Sequence, residues 1–155
     1  SLPVIVYAKE LGATQEKLLR AVLISDLITI HQKTGIGRLS AFCGATSAGI
    51  GAACGIAWLD GGDYEVIAHT IVNGLAILSG MVCDGAKPSC AAKIATAVRN
   101  GLLGYQMYRQ GCQFYGGDGI VTKGVENTIR NIGMLGHDGM REPDKEIVKI
   151  MMQKP

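Results

Sequence analysis

Cys43, Cys83 and Cys90 stand in a stretch that is almost free of charge and rich in Gly and Ala, the last two inside Cys83-Asp84-Gly85-Ala86-Lys87-Pro88-Ser89-Cys90. One thiol on a distant segment and two on either side of a Gly/Pro turn suit an iron–sulfur cluster that leaves one iron open. An open iron is a Lewis acid, which points to an enzyme rather than an electron carrier. Two other readings compete. Three thiols of a buried region are also what an inert core contains. Zinc fits less well, because structural zinc sites pair cysteines two to four residues apart and none of His31, His69 or His137 stands beside the triad.

Spacing separates the remaining cysteines. Cys54 follows Cys43 by three helical turns on one expected helix, ~16 Å along its axis, so the two share a face without sharing a ligand site. Cys54 reads as a small core residue and Cys112, beside a Gly-rich loop, as a fourth ligand or, preferred here, a bystander. A helix running through 83–90 would hold its thiols ~10 Å apart, but Gly85 and Pro88 fold the segment into a turn and let them converge. Within that turn Asp84 and Lys87 are candidate contacts for a substrate ammonium or carboxylate, or else ordinary turn residues. The helix N-terminus at Pro88 and Ser89 adds free N–H groups that suit a carboxylate.

The elements that must hold this turn are helical. Apolar residues Leu18, Leu19, Val22, Leu23, Leu27 and Ile28 recur at three and four residues, predicting an amphipathic helix over 14–34, capped by Thr14 and stopped by Gly35. Residues 43–59 predict a helix buried on all sides, ending at the Asp60-Gly61-Gly62-Asp63 turn. Asp63 then caps a second apolar helix over 64–82, and the two are expected to form a buried hairpin whose small residues allow close approach. Pro88 opens a helix to about residue 109. Beyond the Gly116-Gly117-Asp118-Gly119 break, 123–135 and 144–152 predict shorter helices, the latter opened by Pro143. The expected fold is all-α, one domain over 1–155.

Composition narrows the function classes. The 155 residues are 48% hydrophobic and 18% charged, enough for a sizeable core. Net charge is +2, with Lys and Arg scattered among the acids, so a nucleic-acid groove has little support. Residues 39–59 and 66–82 carry no Asp, Glu, Lys or Arg, which raises a membrane hairpin as a rival. The first of these is mostly Gly, Ala, Ser, Thr and Cys, and the connecting turn carries Asp60 and Asp63, so a buried soluble pair is preferred. The start Ser1-Leu2-Pro3-Val4 has no signal-peptide pattern. Five cysteines in a chain of this size suit a reducing cytoplasm.

A resemblance rests on three runs. They are Gly37-Arg38-Leu39-Ser40 through Cys43-Gly44-Ala45-Thr46 to Gly61-Gly62, the segment from Cys83 to Cys90 with Ala91-Ala92-Lys93, and Gly117-Asp118-Gly119-Ile120-Val121 with Gly139-Met140-Arg141-Glu142. Together they resemble the C-terminal part of the L-serine dehydratase alpha-chain/L-cysteine desulfidase superfamily, over nearly the whole chain. Serine dehydratases set the last two cluster cysteines farther apart and follow the final one with an Ile-Glu-Arg-Asn-like string. The Ala91-Ala92-Lys93 sequel is closer to the cysteine-desulfidase-like bacterial proteins. The resemblance implies an oxygen-sensitive 4Fe–4S cluster on Cys43, Cys83 and Cys90, open to substrate at one iron, and no pyridoxal phosphate. It also implies β-elimination from L-cysteine to pyruvate, ammonia and sulfide, or from L-serine to pyruvate and ammonia. The catalytic base is expected in an N-terminal part of the same enzyme, so this chain is expected to be a C-terminal fragment inactive alone. A non-catalytic helical assembly module, pairing with a copy of itself, is the remaining alternative.

Overall fold

The computed structural model describes residues 1–153, and among them the regular structure is entirely helical apart from one isolated bridge. Seven α-helices run α1 (Leu2–Glu10), α2 (Gln15–Ile36), α3 (Gly44–Leu59), α4 (Tyr64–Ile77), α5 (Ser89–Arg109), α6 (Val125–Met134) and α7 (Arg141–Met152). A π-helical turn, Leu135–Gly139, joins the last two. The all-α expectation holds.

Local chemistry explains most boundaries. The Lys17 N–H donates to Thr14 Oγ1 at 3.3 Å and the Val66 N–H to Asp63 Oδ1 at 3.1 Å, so both expected N-caps form. Pro88 caps α5, where its missing N–H costs nothing. The stop of α2 is Gly37, at φ 89°, rather than Gly35. Gly35 stays helical because Gly133 of α6 packs against it, 3.3 Å from where a side chain would begin. Helix α4 ends at Ile77 rather than near Val82, since the next residues leave as an extended segment that pairs Val82 with Phe42. Pro143 falls within the first turn of α7, which opens at Arg141. Sequence patterning left α1 unassigned, yet its Val4 is fully buried.

Helix α3 is the centre. Eleven of its sixteen residues are buried, and its main neighbours are α2 on one side and α5 on the other. Helix α4 packs chiefly on α5, so the core is a layered set in which α3 and α4 are consecutive without forming a hairpin that excludes the rest. Glycines set the spacing. A Cβ on Gly49 would collide with the Ala97 backbone of α5, one on Gly101 would lie 2.7 Å from the Gly49 carbonyl oxygen, and one on Gly55 would lie 2.7 Å from the Ala21 carbonyl oxygen of α2. Large side chains fill what these contacts leave: Ile36, Phe42, Ile50, Leu75 and Ile132 form one cluster with buried Cys54. Each such side chain contributes roughly 1.5–3 kcal/mol on burial.

The face of α2 turned inward differs from the one its leucines suggest. Ala21, Ser25, Gln32 and Ile36 are buried, whereas Leu19, Leu23, Leu27 and Ile30 are 55%, 60%, 61% and 61% exposed. The reason lies in α3, whose glycines accept only small residues alongside them: a Cβ on Gly51 would meet Ser25 and Thr29. No helix among the described residues is long and apolar enough to cross a membrane.

Two outcomes follow from this packing. Gly49→Ala should lower stability by about 1–3 kcal/mol in denaturant melts, because the obstructing atoms are backbone, while Gly44→Ala, with nothing near its added carbon, should leave the midpoint within about 0.5 kcal/mol. Cys54 has no exposed surface and burial pushes its thiol far above the usual range. Native alkylation followed by peptide mass spectrometry should therefore spare Cys54 and label the other four cysteines, with all five labelled after unfolding.

Candidate functional site

The site starts from the bridge. Phe42 pairs with Val82 in antiparallel sense, the Cys43 N–H donating to the Met81 carbonyl and the Cys83 N–H to the Ala41 carbonyl, each at 2.7 Å. Directly opposed residues share one face of such a ribbon and their neighbours share the other. Cys43 and Cys83 are thus diagonal neighbours on one face, a relation that usually spans roughly 7–8 Å. Phe42 takes the opposite face into the core, lying beneath Gly80, where any side chain would strike its ring.

Cys43 is also the N-cap of α3, and its side chain makes no capping bond. Ser40 fixes the approach: its hydroxyl donates to the Gly136 carbonyl of the π-helical turn and accepts from the Phe42 N–H at 3.0 Å. Cys90 sits in the first turn of α5. The turn before it relies on Gly85 at φ 89°, a conformation costly for other residues. It brings the Cys90 thiol to 3.6 Å from the Gly85 carbonyl. All three thiols are half-buried, Cys54 is fully buried and Cys112 is exposed.

Asp84 organises the charges of the loop. Its carboxylate accepts from Lys87 and, at 2.7 Å, from Lys93, which also donates to the Val82 carbonyl at 2.7 Å. Two cations on one carboxylate leave the loop with a local excess of positive charge. Lys87 and Ser89 are both exposed on the same turn, and the Ser89 side chain caps nothing. Asp84 is held by these lysines as a structural tie. Lys93 is a partner to which sequence reasoning gave no role of its own; its position one helical turn beyond Cys90 and six residues after Lys87 was the available signal. Ser40 had no such signal, because its partner is 96 residues away.

Among the described residues, no three His, Cys, Asp or Glu side chains gather closely enough to hold a metal ion. The structure brings Cys43 and Cys83 onto one face and turns Cys90 back over its own loop without drawing the three together. Soft, half-buried thiols on adjacent segments are the donor set of an iron–sulfur cluster, whose ligands stand farther apart than those of a single ion. Beside this loop, Val82, Asp84 and Lys87 form one wall of a cleft of about 420 Å³ whose other wall is Ile147, Ile150 and Met151 of α7.

Comparison with known proteins agrees with the three runs on which the resemblance rested. The profile of the serine dehydratase alpha chain family matches residues 1–149. A UPF0597 protein of Desulfitobacterium hafniense is 66% identical over 154 residues, 99% of this chain and 36% of its own length. UPF0597 proteins of Lachnoclostridium phytofermentans and Treponema denticola are 53% and 48% identical, over 98% and 99% of this chain and 36% of theirs. No solved structure matches. The chain thus spans about a third of the length of these relatives, and it belongs to the serine dehydratase alpha chain family.

Proposed function

We propose that this chain is the cluster-holding part of an iron–sulfur lyase that removes sulfide from L-cysteine, with Cys43, Cys83 and Cys90 as the ligands. The observation that carries the reading is the Phe42–Val82 bridge, which sets two of the three thiols side by side in a chain of this family. When bound, a 4Fe–4S cluster with one open iron supplies Lewis acidity toward the substrate's β-substituent. The chain's own residues position the substrate. The positive excess of Lys87 and Lys93 over Asp84 attracts the substrate carboxylate, and the start of α5 at Ser89 adds backbone N–H groups and a free hydroxyl.

The reaction breaks the Cα–H and Cβ–S bonds. The α-proton leaves to a base, the electron pair forms the Cα–Cβ double bond, and the sulfur departs as sulfide. The resulting aminoacrylate tautomerises to an imine, which water hydrolyses to pyruvate and ammonia. We assign the base to the part of the relatives' length that this chain does not span. L-Serine, losing water from the same positions, is the alternative substrate. The exposed row of Leu19, Leu23, Leu27 and Ile30 supports an assembly role alongside catalysis, since it is an apolar surface on which the part of the relatives' length that this chain does not span, or a second copy, would close. Free thiols at all five cysteines suit the reducing cytoplasm that this reading requires.

Anaerobic reconstitution with iron and sulfide, followed by absorption spectroscopy and iron quantification, should give a broad iron–sulfur band. Cys43→Ala, Cys83→Ala and Cys90→Ala should each abolish it, whereas Cys54→Ala and Cys112→Ala should keep it. A loss that ignores this division would refute the ligand assignment. In turnover assays the reconstituted chain alone should release no sulfide from L-cysteine, and a protein of the relatives' full length should release sulfide and pyruvate in equal amounts. Pyruvate from L-serine at a higher kcat/KM than from L-cysteine would overturn the substrate assignment.

A further inference from the structure

A second cavity, of about 340 Å³, lies at the other end of α4 from the cysteine loop. The cavity is lined by α4 from Tyr64 to Val72, whereas the cysteine loop follows the far end of that helix, which stops at Ile77. Its walls are the first turns of α4 and the segments 114–116 and 121–125. Both loop walls are pinned from below. Buried Asn73 accepts from the Phe114 N–H at 3.1 Å and donates to the Gly104 carbonyl at 3.0 Å, while Asn131 donates to the Ile120 carbonyl at 2.9 Å and buried Thr128 exchanges hydrogen bonds with the Thr122 backbone. The cavity is therefore preformed, which is the usual condition of a small-molecule site, and its volume is at the low end of the range for such sites, roughly 300–1,000 Å³.

The lining combines two opposite charges with aromatic surface. Glu65 and Lys123 both line the cavity, yet they form no ion pair with each other, and Lys123 forms none with any acid among the described residues. Among the described residues the one basic side chain within 4 Å of Glu65 is the His69 ring, its Nε2 at 3.9 Å, beyond hydrogen-bonding distance. That ring is fixed by stacking on Tyr108, centroids 4.4 Å apart, and its Nδ1 is shut off from solvent without a partner. Placing the proton on Nε2 leaves only a lone pair buried and keeps the ring's donor on the accessible edge. Tyr64, Phe114 and Tyr115 supply the aromatic lining, the two tyrosines being 69% and 68% exposed.

The geometry points to a second binding site for an aromatic α-amino acid in zwitterionic form, its ammonium on Glu65, its carboxylate on Lys123 and the His69 Nε2–H, and its ring against Tyr64 and Tyr115. A ligand carrying both charges satisfies two lining groups that form no ion pair with each other. One lacking either charge leaves a residue unmatched. Offset aromatic contacts add to the affinity of a ring-bearing side chain. The site shares no residue with the cysteine loop, so it stands whether or not the lyase reading holds.

The test is calorimetry and imidazole NMR on this chain with L-phenylalanine, 3-phenylpropionate, which lacks the ammonium, and phenethylamine, which lacks the carboxylate. L-Phenylalanine should bind saturably and shift the His69 ring resonances, with each half-ligand at least about tenfold weaker. Glu65→Gln should weaken L-phenylalanine about tenfold or more and leave 3-phenylpropionate unchanged, and Lys123→Met should likewise weaken L-phenylalanine and leave phenethylamine unchanged. Circular dichroism of both surface variants should match the parent. Cys83→Ala and an excess of L-cysteine should leave L-phenylalanine binding unchanged. Absence of saturable binding up to about 10 mM, equal binding of the half-ligands, or indifference to both charge substitutions would overturn the proposal.

Discussion

Backbone-to-backbone contact between α3 and its two neighbours is the constraint on which the rest of the structure depends. Gly49 and Gly101 bring α3 and α5 together at a distance that admits no β-carbon, and Gly51 and Gly55 do the same between α3 and α2. Gly104 extends the pattern from α5 to α4, where an added carbon would lie 2.8 Å from the Gly74 nitrogen. Glycine weakens isolated helices by roughly 1 kcal/mol per residue, so these helices are held by what they pack against. The gain is dispersion between close surfaces and a central helix with no freedom to shift.

That fixed helix is what gives the cysteine loop a defined place. Cys43 caps α3, and the segment before it pairs with the segment leaving α4, so two thiols inherit the rigidity of the two helices. Polar ties complete the frame where apolar packing stops. Asn100 donates to the Gly74 carbonyl at 2.8 Å, in the carboxyl-terminal half of α4, and Ser40 links the Cys43 segment to the π-helical turn. Such buried bonds matter less for their net strength, about 1 kcal/mol each, than for the cost of leaving either partner unmatched. The third thiol depends on a more local device, the Gly85 turn and the Asp84–Lys93 pair. This is why the structure couples Cys43 to Cys83 more closely than it couples either to Cys90.

Legibility in the sequence followed the range of the interaction. Caps and stops are local, so Thr14, Asp63 and the Pro88 start of α5 were readable, as was the burial of α3, because its composition excludes any wet face. The inward face of α2 was not readable from its own leucines. Glycines on α3 selected Ala21 and Ser25 for the closest contacts and left Leu19, Leu23 and Leu27 exposed, while Val22 and Ile28 pack at the edge of the core, a choice made by a different helix. The early end of α4 was missed for a related reason: residues 78–82 look helical alone, but Phe42 offers Val82 a partner across 40 positions. Of the site, the three cysteines and the charged turn residues could be named from type and spacing. Their relative positions, and the roles of Ser40 and Lys93, required the fold.

The central claim is that Cys43, Cys83 and Cys90 hold a four-iron cluster with one iron that no cysteine ligates. Mössbauer spectroscopy of protein reconstituted anaerobically with iron-57, before and after adding L-cysteine, tests it most directly. The account predicts a subsite of one iron in four whose parameters alone change when L-cysteine is added, the other three staying as they were. Four equivalent irons that ignore L-cysteine, or iron bound only as isolated ions, would contradict it.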